Sequence, residues 1–323
     1  MTQKKRKPRR KLIIGLTITL TTVGAVLYGL ADRYLIEHVE VVVQPASAAG
    51  TAVTAAASAN SSTESNSAAN QATSDDWNYS SDTTDIAIKK VENGTGEDKI
   101  TYYVADVQVK EASKLLTAFA DNAFGRNITE ATSEIASANN AIFAVNGDYY
   151  GFRNDGVIIR NGTLYRNEPA RDGLALYSDG TMKSYNEEEV SADELLASGV
   201  TNTFSFGPVL VKNGEAIDNF DNLKIDTNFG NRSIDDANPR TGIGVISPNH
   251  YVFVVVDGRQ ENYSRGMTLD EFAQLFKDLG VTEAYNLDGG GSSTMYFMGR
   301  VVNSPGNRGN DERGVSDIIY LAD

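Results

Sequence analysis

Residues Leu12 to Ala31 read LIIGLTITLTTVGAVLYGLA, twenty positions without one charged side chain. At about 1.5 Å of helical rise per residue this run spans about 30 Å, the hydrocarbon thickness of a bilayer. Thr17, Thr19, Thr21 and Thr22 dilute its hydropathy, although their hydroxyls can bond back to helix carbonyls. Seven cations (Lys4, Lys5, Arg6, Lys7, Arg9, Arg10, Lys11) and no anion stand in the first eleven residues. That asymmetry orients the segment with its N-terminus in the cytoplasm and everything after Asp32 outside the cell membrane. A cleaved signal peptide is the competing reading. It needs a shorter apolar core with a small-residue cleavage site close behind, whereas Ala46-Ser47-Ala48 lies well past the run. An uncleaved signal-anchor fits better.

The next stretch cannot build a core. Gln44 to Asp76 is almost wholly Ala, Ser, Thr, Asn and Gln, with one proline and no aromatic residue, so nothing in it repays the entropy of ordering. It reads as a tether. The expected organisation is therefore a cytoplasmic basic tail (1–11), a transmembrane signal-anchor (12–31), a juxtamembrane segment and low-complexity linker (32–81), and one folded domain (82–323).

Charge and residue usage exclude several functions. The chain carries 29 Lys and Arg against 43 Asp and Glu; setting aside the seven N-terminal cations leaves a body with a net charge of −21. Such a body repels nucleic-acid backbones, so no nucleic-acid partner is expected. Cysteine is absent, which rules out disulfides, thiolate metal sites and a cysteine nucleophile. The two histidines are His38, beside the apolar run, and His250, behind Pro248-Asn249 in a turn. Chemistry here falls to carboxylates, arginines, amides, hydroxyls and backbone N–H groups.

Within 82–323 the pattern predicts short strands and few helices. Ile100 to Val109, Ile142 to Val145, Gly173 to Tyr177, Val209 to Val211, Gly242 to Ile246 and Glu283 to Leu287 have strand character. Tyr251 to Val256 (YVFVVV) is continuously apolar, as a strand buried on both faces should be. Thr268 and Glu271 form a capping box for a helix over Leu269 to Leu279, which Gly280 stops. A second helix starts at Ser191, with Glu194 three residues on. The fold class is α+β (mixed α/β), a single globular domain around a buried mixed sheet.

Three polar clusters stand where strands end. In Asn286-Leu287-Asp288-Gly289-Gly290-Gly291-Ser292-Ser293-Thr294, three glycines let the backbone approach a ligand and aim N–H groups at one anionic oxygen. Asp288 opens that loop, and the Ser292 and Ser293 hydroxyls lie beyond it; a flexible turn with an Asp cap is the alternative. Arg240, in Asn238-Pro239-Arg240-Thr241-Gly242-Ile243-Gly244, and Arg259, in Asp257-Gly258-Arg259, sit at the mouth of one predicted hairpin. They can grip phosphate with planar forks or simply form structural salt bridges. In Ala144-Val145-Asn146-Gly147-Asp148-Tyr149-Tyr150-Gly151, Asn146 suits a sugar hydroxyl and Tyr149 or Tyr150 a pyranose face. Asn-Gly is also a hairpin signal in its own right.

Taken in order, AVNGDYYG, FGPVLVKNG, NPRTGIG, VVVDGR, NLDGGGSSTM and the closing Arg313-Gly314-Val315 resemble the phosphodiester glycosidase family from about Ala141 to the C-terminus. Asp148 and Gly314 depart from the residues often found there, glycine and proline, and Asp148 adds a carboxylate near the presumed site. The resemblance implies hydrolysis of a sugar-1-phosphodiester on its glycosidic side. On that reading Arg240 and Arg259 hold the phosphate, and Asp288, or else Asp257, assists attack at the anomeric carbon. Asn146, Asp148, Tyr150, Ser292, Ser293 and Arg313 bind substrate, and the Gly289, Gly290 and Gly291 N–H groups stabilise the departing oxygen. The substrate expected outside a cell is an envelope glycopolymer or exopolysaccharide. A non-catalytic polysaccharide-binding or envelope-assembly protein, or a glycosyl transferase using the same site, are the alternatives. No cofactor is required, although Asp148, Asp257 and Asp288 together offer oxygen ligands suited to Ca²⁺ or Mg²⁺.

Overall fold

An uninterrupted apolar strand must lie inside a sheet covered on both faces, and the YVFVVV run does. In the computed structural model, His250–Val256 is the fifth of nine strands, flanked by Arg240–Ser247 and Ile100–Val109. Residues 9–43, 72–218, 220, 225, 236–306, 309 and 311–322 are described, with side chains from Leu16 onward. Most of the expected linker and of the basic tail thus lies outside the described residues.

From one edge to the other, the nine-stranded sheet runs Glu215–Ala216, Val209–Lys212, Glu283–Asn286, Arg240–Ser247, His250–Val256, Ile100–Val109, Thr84–Asn93, Asn78–Ser80 and Thr73–Ser74. A five-stranded sheet has Ala141–Asn146 at its centre, between Met295–Phe297 and Asp317–Ala322, with Arg300–Val301 and Leu115–Phe119 outermost. The Phe143 and Phe253 rings meet at 5.2 Å between the two sheets, and Val145, Ile319 and Leu321 share one core with Val252 to Val256. A three-stranded sheet centred on Asp172–Tyr177 and two two-stranded sheets, His38–Val42 with Ala123–Arg126 and Gly156–Arg160 with Thr163–Glu168, flank these.

The expected mixed sheet is corrected to an antiparallel one: each described ladder of both large sheets is antiparallel. Tight turns such as Pro248-Asn249, where Asn249 has φ 65°, force neighbouring strands to run in opposite directions. One crossover skips a strand: His250–Val256 and Glu283–Asn286 both flank Arg240–Ser247 and are joined through a helix.

Among the described residues the α-helices are α1 (Arg9–Tyr34), α2 (Thr132–Ala138), α3 (Ala192–Ala197) and α4 (Leu269–Asp278). Both predicted capping boxes form, at Thr268/Glu271 for α4 and Ser191/Glu194 for α3. A Cβ on Gly242 would lie 2.8–2.9 Å from the rings of Phe272 and Phe276 in α4. That glycine in NPRTGIG therefore serves helix–sheet packing.

Two N-terminal expectations change. Among the described residues no helix is long and apolar enough to cross a membrane. Within α1, the described side chains start at Leu16, and the four threonines, Asp32 and Arg33 lower the hydropathy of that part. The folded body also begins before Asp82. His38–Val42 pairs with Ala123–Arg126, and Thr73–Ser74 and Asn78–Ser80 extend the large sheet, with Trp77 stacked on Tyr103 at 6.3 Å.

Candidate active site

The glycine-rich loop leaves the Glu283–Asn286 strand and lies across the start of its neighbour. Leu287 N–H donates to Thr241 O at 2.8 Å and Gly290 N–H to Pro239 O at 3.0 Å. Asn146, fully buried at the end of its strand in the five-stranded sheet, ties the parts together. Its Nδ2 donates to Asp288 O (2.7 Å), while its Oδ1 accepts from Thr241 Oγ1 (2.7 Å) and Thr294 N–H (3.2 Å). Three separate motifs thereby converge on one point. Asn146 is buried with no exposed surface to offer a sugar, so its place is beneath the site as a clamp on Asp288.

Charge gathers above that clamp. Arg313 Nη2 donates to Asp288 Oδ2 at 3.1 Å and to Gly289 O at 3.1 Å, and its Nε donates to Ser292 Oγ at 2.9 Å. The Arg313 side chain is 44% exposed against 10% for Asp288, so the carboxylate lies at the floor of a mouth and the guanidinium at its lip. Arg259 joins them. Its Nη2 and Nη1 lie 3.2 and 3.3 Å from where a Gly290 Cβ would stand, and its Nε donates to Asn238 Oδ1 at 2.9 Å. Burial and then the like charge of Arg313 lower the Arg259 guanidinium's pKa, while Asp288 raises it, so the three charges interact. Two guanidiniums on a loop with one carboxylate, Arg313 on Asp288 and Arg259 beside Gly290, leave a net positive centre on an acidic body, which suits an anionic substrate group.

The glycines have a different job from the expected N–H cradle. Gly289 N–H donates to the Asp288 carboxylate and Gly290 N–H to Pro239 O, while the carbonyls of Gly289 and Gly291 accept from Arg313. Gly290 has φ 66°, and its missing side chain makes room for Arg259. Ser292 Oγ accepts from Arg313, whereas Ser293 Oγ and Thr294 Oγ1 are buried with no hydrogen-bond partner among the described residues.

Other expected site residues lie elsewhere. Arg240 is 2% exposed, with Nε on Met267 O (3.0 Å) and Nη2 on Asp236 O (2.8 Å), so it holds the backbone at the strand entrance. Asp257 accepts from Asn303 Nδ2 (2.9 Å), Ser304 N–H (3.0 Å) and Tyr263 OH (2.8 Å), and Asn303 also donates to Ser293 O. Burial outweighs these donors and lifts the Asp257 carboxyl to about 6. Tyr150 is core: its OH donates to Ser316 O and its ring stacks on Phe124 at 5.1 Å, so it is no sugar platform. Asp148 is buried too, accepting from Ser205 N–H at 2.7 Å and lying 3.5 Å from Arg160 Nη2. Arg160 in turn donates from Nε to Asp317 Oδ2 at 2.7 Å, and Asp317 Oδ1 accepts the Asp148 N–H. Asp148 thus supports the loop from inside the protein.

Sequence reasoning missed this Arg160–Asp317 pair and the Asn238 support of Arg259; the asparagine was visible in NPRTGIG without a sign of its role. The proposed metal set does not assemble either. Asp148, Asp257 and Asp288 each have separate partners, and among the described residues no group of three or more His, Asp or Glu side chains could hold a metal. No step is assigned to one.

The motifs that converge on this site all lie within a matched region: a family model for phosphodiester glycosidases covers residues 139–322. The chain belongs to the phosphodiester glycosidase family. Among curated proteins, this family member is 31% identical over 208 residues to the SPbeta prophage-derived uncharacterized protein YomE of Bacillus subtilis (strain 168), covering 62% of this chain and 30% of that protein. It is 30% identical over 154 residues to bovine (Bos taurus) N-acetylglucosamine-1-phosphodiester alpha-N-acetylglucosaminidase, covering 44% and 28%. The match thus spans less than a third of those relatives. The zebrafish N-acetylglucosamine-1-phosphodiester alpha-N-acetylglucosaminidase catalytic domain, auto-inhibited by its pro-peptide, shares the fold with TM-score 0.60 at 22% identity over 75% of this chain and 84% of that one.

Proposed function

We propose that this family member is a membrane-anchored, extracellular phosphodiester glycosidase that hydrolyses a sugar-1-phosphodiester in a cell-envelope glycopolymer or exopolysaccharide. The observation that carries the reading is the Arg313–Asp288 pair at 3.1 Å with the Arg259 guanidinium set beside Gly290, two residues further along the same loop. Two planar forks bind a phosphodiester anion and neutralise the charge that grows on its bridging oxygen as the glycosidic bond breaks. That oxygen departs with the bonding electron pair on a phosphate, a good leaving group that needs no proton. Asp288 then has one task. Its carboxylate takes a proton from the water that attacks the anomeric carbon, giving free sugar and a phosphomonoester. Here the phosphate grip passes from the expected Arg240–Arg259 pair to Arg259 and Arg313, because the Arg240 guanidinium bonds backbone carbonyls inside the protein.

The anchor rests on the uncharged run at 12–31 and the cations before it, and α1 is one continuous helix through that run. Incubating the full chain with a panel of sugar-1-phosphodiesters tests the chemistry. Free sugar and a matching phosphomonoester are expected. Saturable binding with no product would replace the enzyme by a binding protein, and sugar found on an added acceptor would replace hydrolysis by transfer.

A further inference from the structure

Arg259 sets its guanidinium beside Gly290 from a backbone that an arginine does not favour. Its φ is 61°, in the left-handed region where a side chain crowds the following carbonyl. Such a residue persists only where its surroundings over-determine it. Asn238 Oδ1 accepts from its Nε at 2.9 Å and fixes the side chain. Fixing the turn itself falls to other groups.

One short segment grips that turn on both sides. Residues 302–306 follow the Arg300–Val301 strand and run past the residues before and after Gly258-Arg259. Ser304 N–H donates to both carboxylate oxygens of Asp257, at 3.0 and 3.2 Å. Gln260 Nε2 donates to Ser304 O at 2.9 Å, and Ser304 Oγ donates to Gln260 Oε1 at 3.1 Å. Asn303 ties the same segment to the loop of Asp288. Its Nδ2 donates to Asp257 Oδ1 and to Ser293 O, each at 2.9 Å, and its Oδ1 accepts Met295 N–H at 2.8 Å.

The turn that carries Arg259 and the far end of the glycine-rich loop thus hang on two consecutive residues. Backbone bonds from Asp257 N–H to Thr101 O and from Gln260 N–H to Ser264 O also hold the turn, but they join it to the body of the protein and not to that loop. The arrangement also gives the aspartate of VVVDGR a task that the proposed chemistry leaves open: its carboxylate is the socket for Asn303 and Ser304. A binding site gains affinity when its charged groups are held in place before the ligand arrives.

We propose that Asn303 and Ser304 are positioning residues for phosphate binding: through Asp257 and Gln260 they hold the Arg259 turn in register with the Asp288 loop, so that the Arg259 guanidinium and the Arg313–Asp288 pair meet one anion. The inference rests on the Arg259 phosphate grip proposed above.

Diethyl phosphate, a singly charged diester with no glycosidic bond to cut, is titrated into the full chain and its variants by ligand-observed NMR. Gln260→Ala and Asn303→Ala should each weaken binding about tenfold, and Arg259→Ala at least as much. In an Arg259→Ala background neither of the first two should have a further effect, because nothing is left to position; general damage to the fold would add to the Arg259 loss instead. Additive losses, or binding unchanged in both Gln260→Ala and Asn303→Ala, overturn the proposal. So does parent-level binding in Arg259→Ala, or no binding by the parent chain. Turnover of sugar-1-phosphodiesters judges the hydrolytic reading separately: a coupled binding cycle without product keeps the clamp and discards the glycosidase.

Discussion

Arg313 Nη2 lies 3.1 Å from Asp288 Oδ2, and the same guanidinium holds the carbonyl of Gly289 and the hydroxyl of Ser292. One arginine near the C-terminus therefore sets both the position of the carboxylate and the shape of the loop that follows it. Substitutions around this pair separate chemistry from support.

Asp288→Asn keeps the shape and removes the charge, and Arg259→Ala removes an exposed guanidinium. Each should lower turnover of a sugar-1-phosphodiester by about 10² to 10⁴-fold. Thermal midpoints should stay near that of the parent chain. Steady-state rates and melting curves on the same preparations check both; full activity in either variant removes the mechanism.

Arg240→Ala should behave in the opposite way. It removes a buried side chain together with its bonds to Met267 O and Asp236 O, leaving a cavity at the strand entrance. The cost is about 2–4 kcal/mol in urea unfolding. Substrate binding per folded molecule should change less than in Arg259→Ala, a comparison that titration calorimetry on the two variants makes directly.

Gly290→Ala puts a Cβ 3.2 Å from Arg259 Nη2 on a backbone with φ 66°. The left-handed conformation costs about 1 kcal/mol, and Arg259 must move. A raised KM with little loss of fold is expected. An unchanged KM would show that the arginine does not depend on that space.

Burial lifts the Asp257 carboxyl to about 6 from an ordinary 3.8. A carboxyl raised in the native state holds its proton better folded than unfolded, so its stabilising contribution is complete below its unfolded pKa and is lost as pH rises through 6. Relative to Asp257→Asn, the parent chain should lose up to about 3 kcal/mol of unfolding free energy between about pH 4 and pH 7. Parallel stability–pH curves for the two proteins would exclude this.

Arg160 sits between Asp148 and Asp317, all three buried. Asp317→Asn leaves that cation under-compensated and should destabilise by about 3–5 kcal/mol, whereas a surface pair such as Lys277–Glu215 should cost less than 1 kcal/mol to break. Chemical denaturation of the two variants measures the difference.

Local patterns were enough for the elements that depend on local physics. The continuous YVFVVV run requires burial on both faces, and the Thr268/Glu271 box with Gly280 delimits α4 from residues within a few turns of one another. The three polar clusters announced themselves because strand ends are where a sheet can display side chains. The short HVEVV strand had no such signature; its stability comes from pairing with Ala123–Arg126, more than eighty residues away.

The amino-acid order by itself determined the motif set, the acidic body, the apolar run and the strand-rich composition. Only the tertiary structure decided which polar residues face a substrate. Arg240 and Arg259 look alike in a hairpin mouth, yet one bonds backbone carbonyls and the other stands beside Gly290 in the loop that Asp288 opens. Asn146 and Tyr150 likewise turned inward, and Asp148 met a buried arginine. The physical reason is that a side chain's role depends on the partners that long-range packing brings to it, and those partners lie tens to hundreds of residues away along the chain.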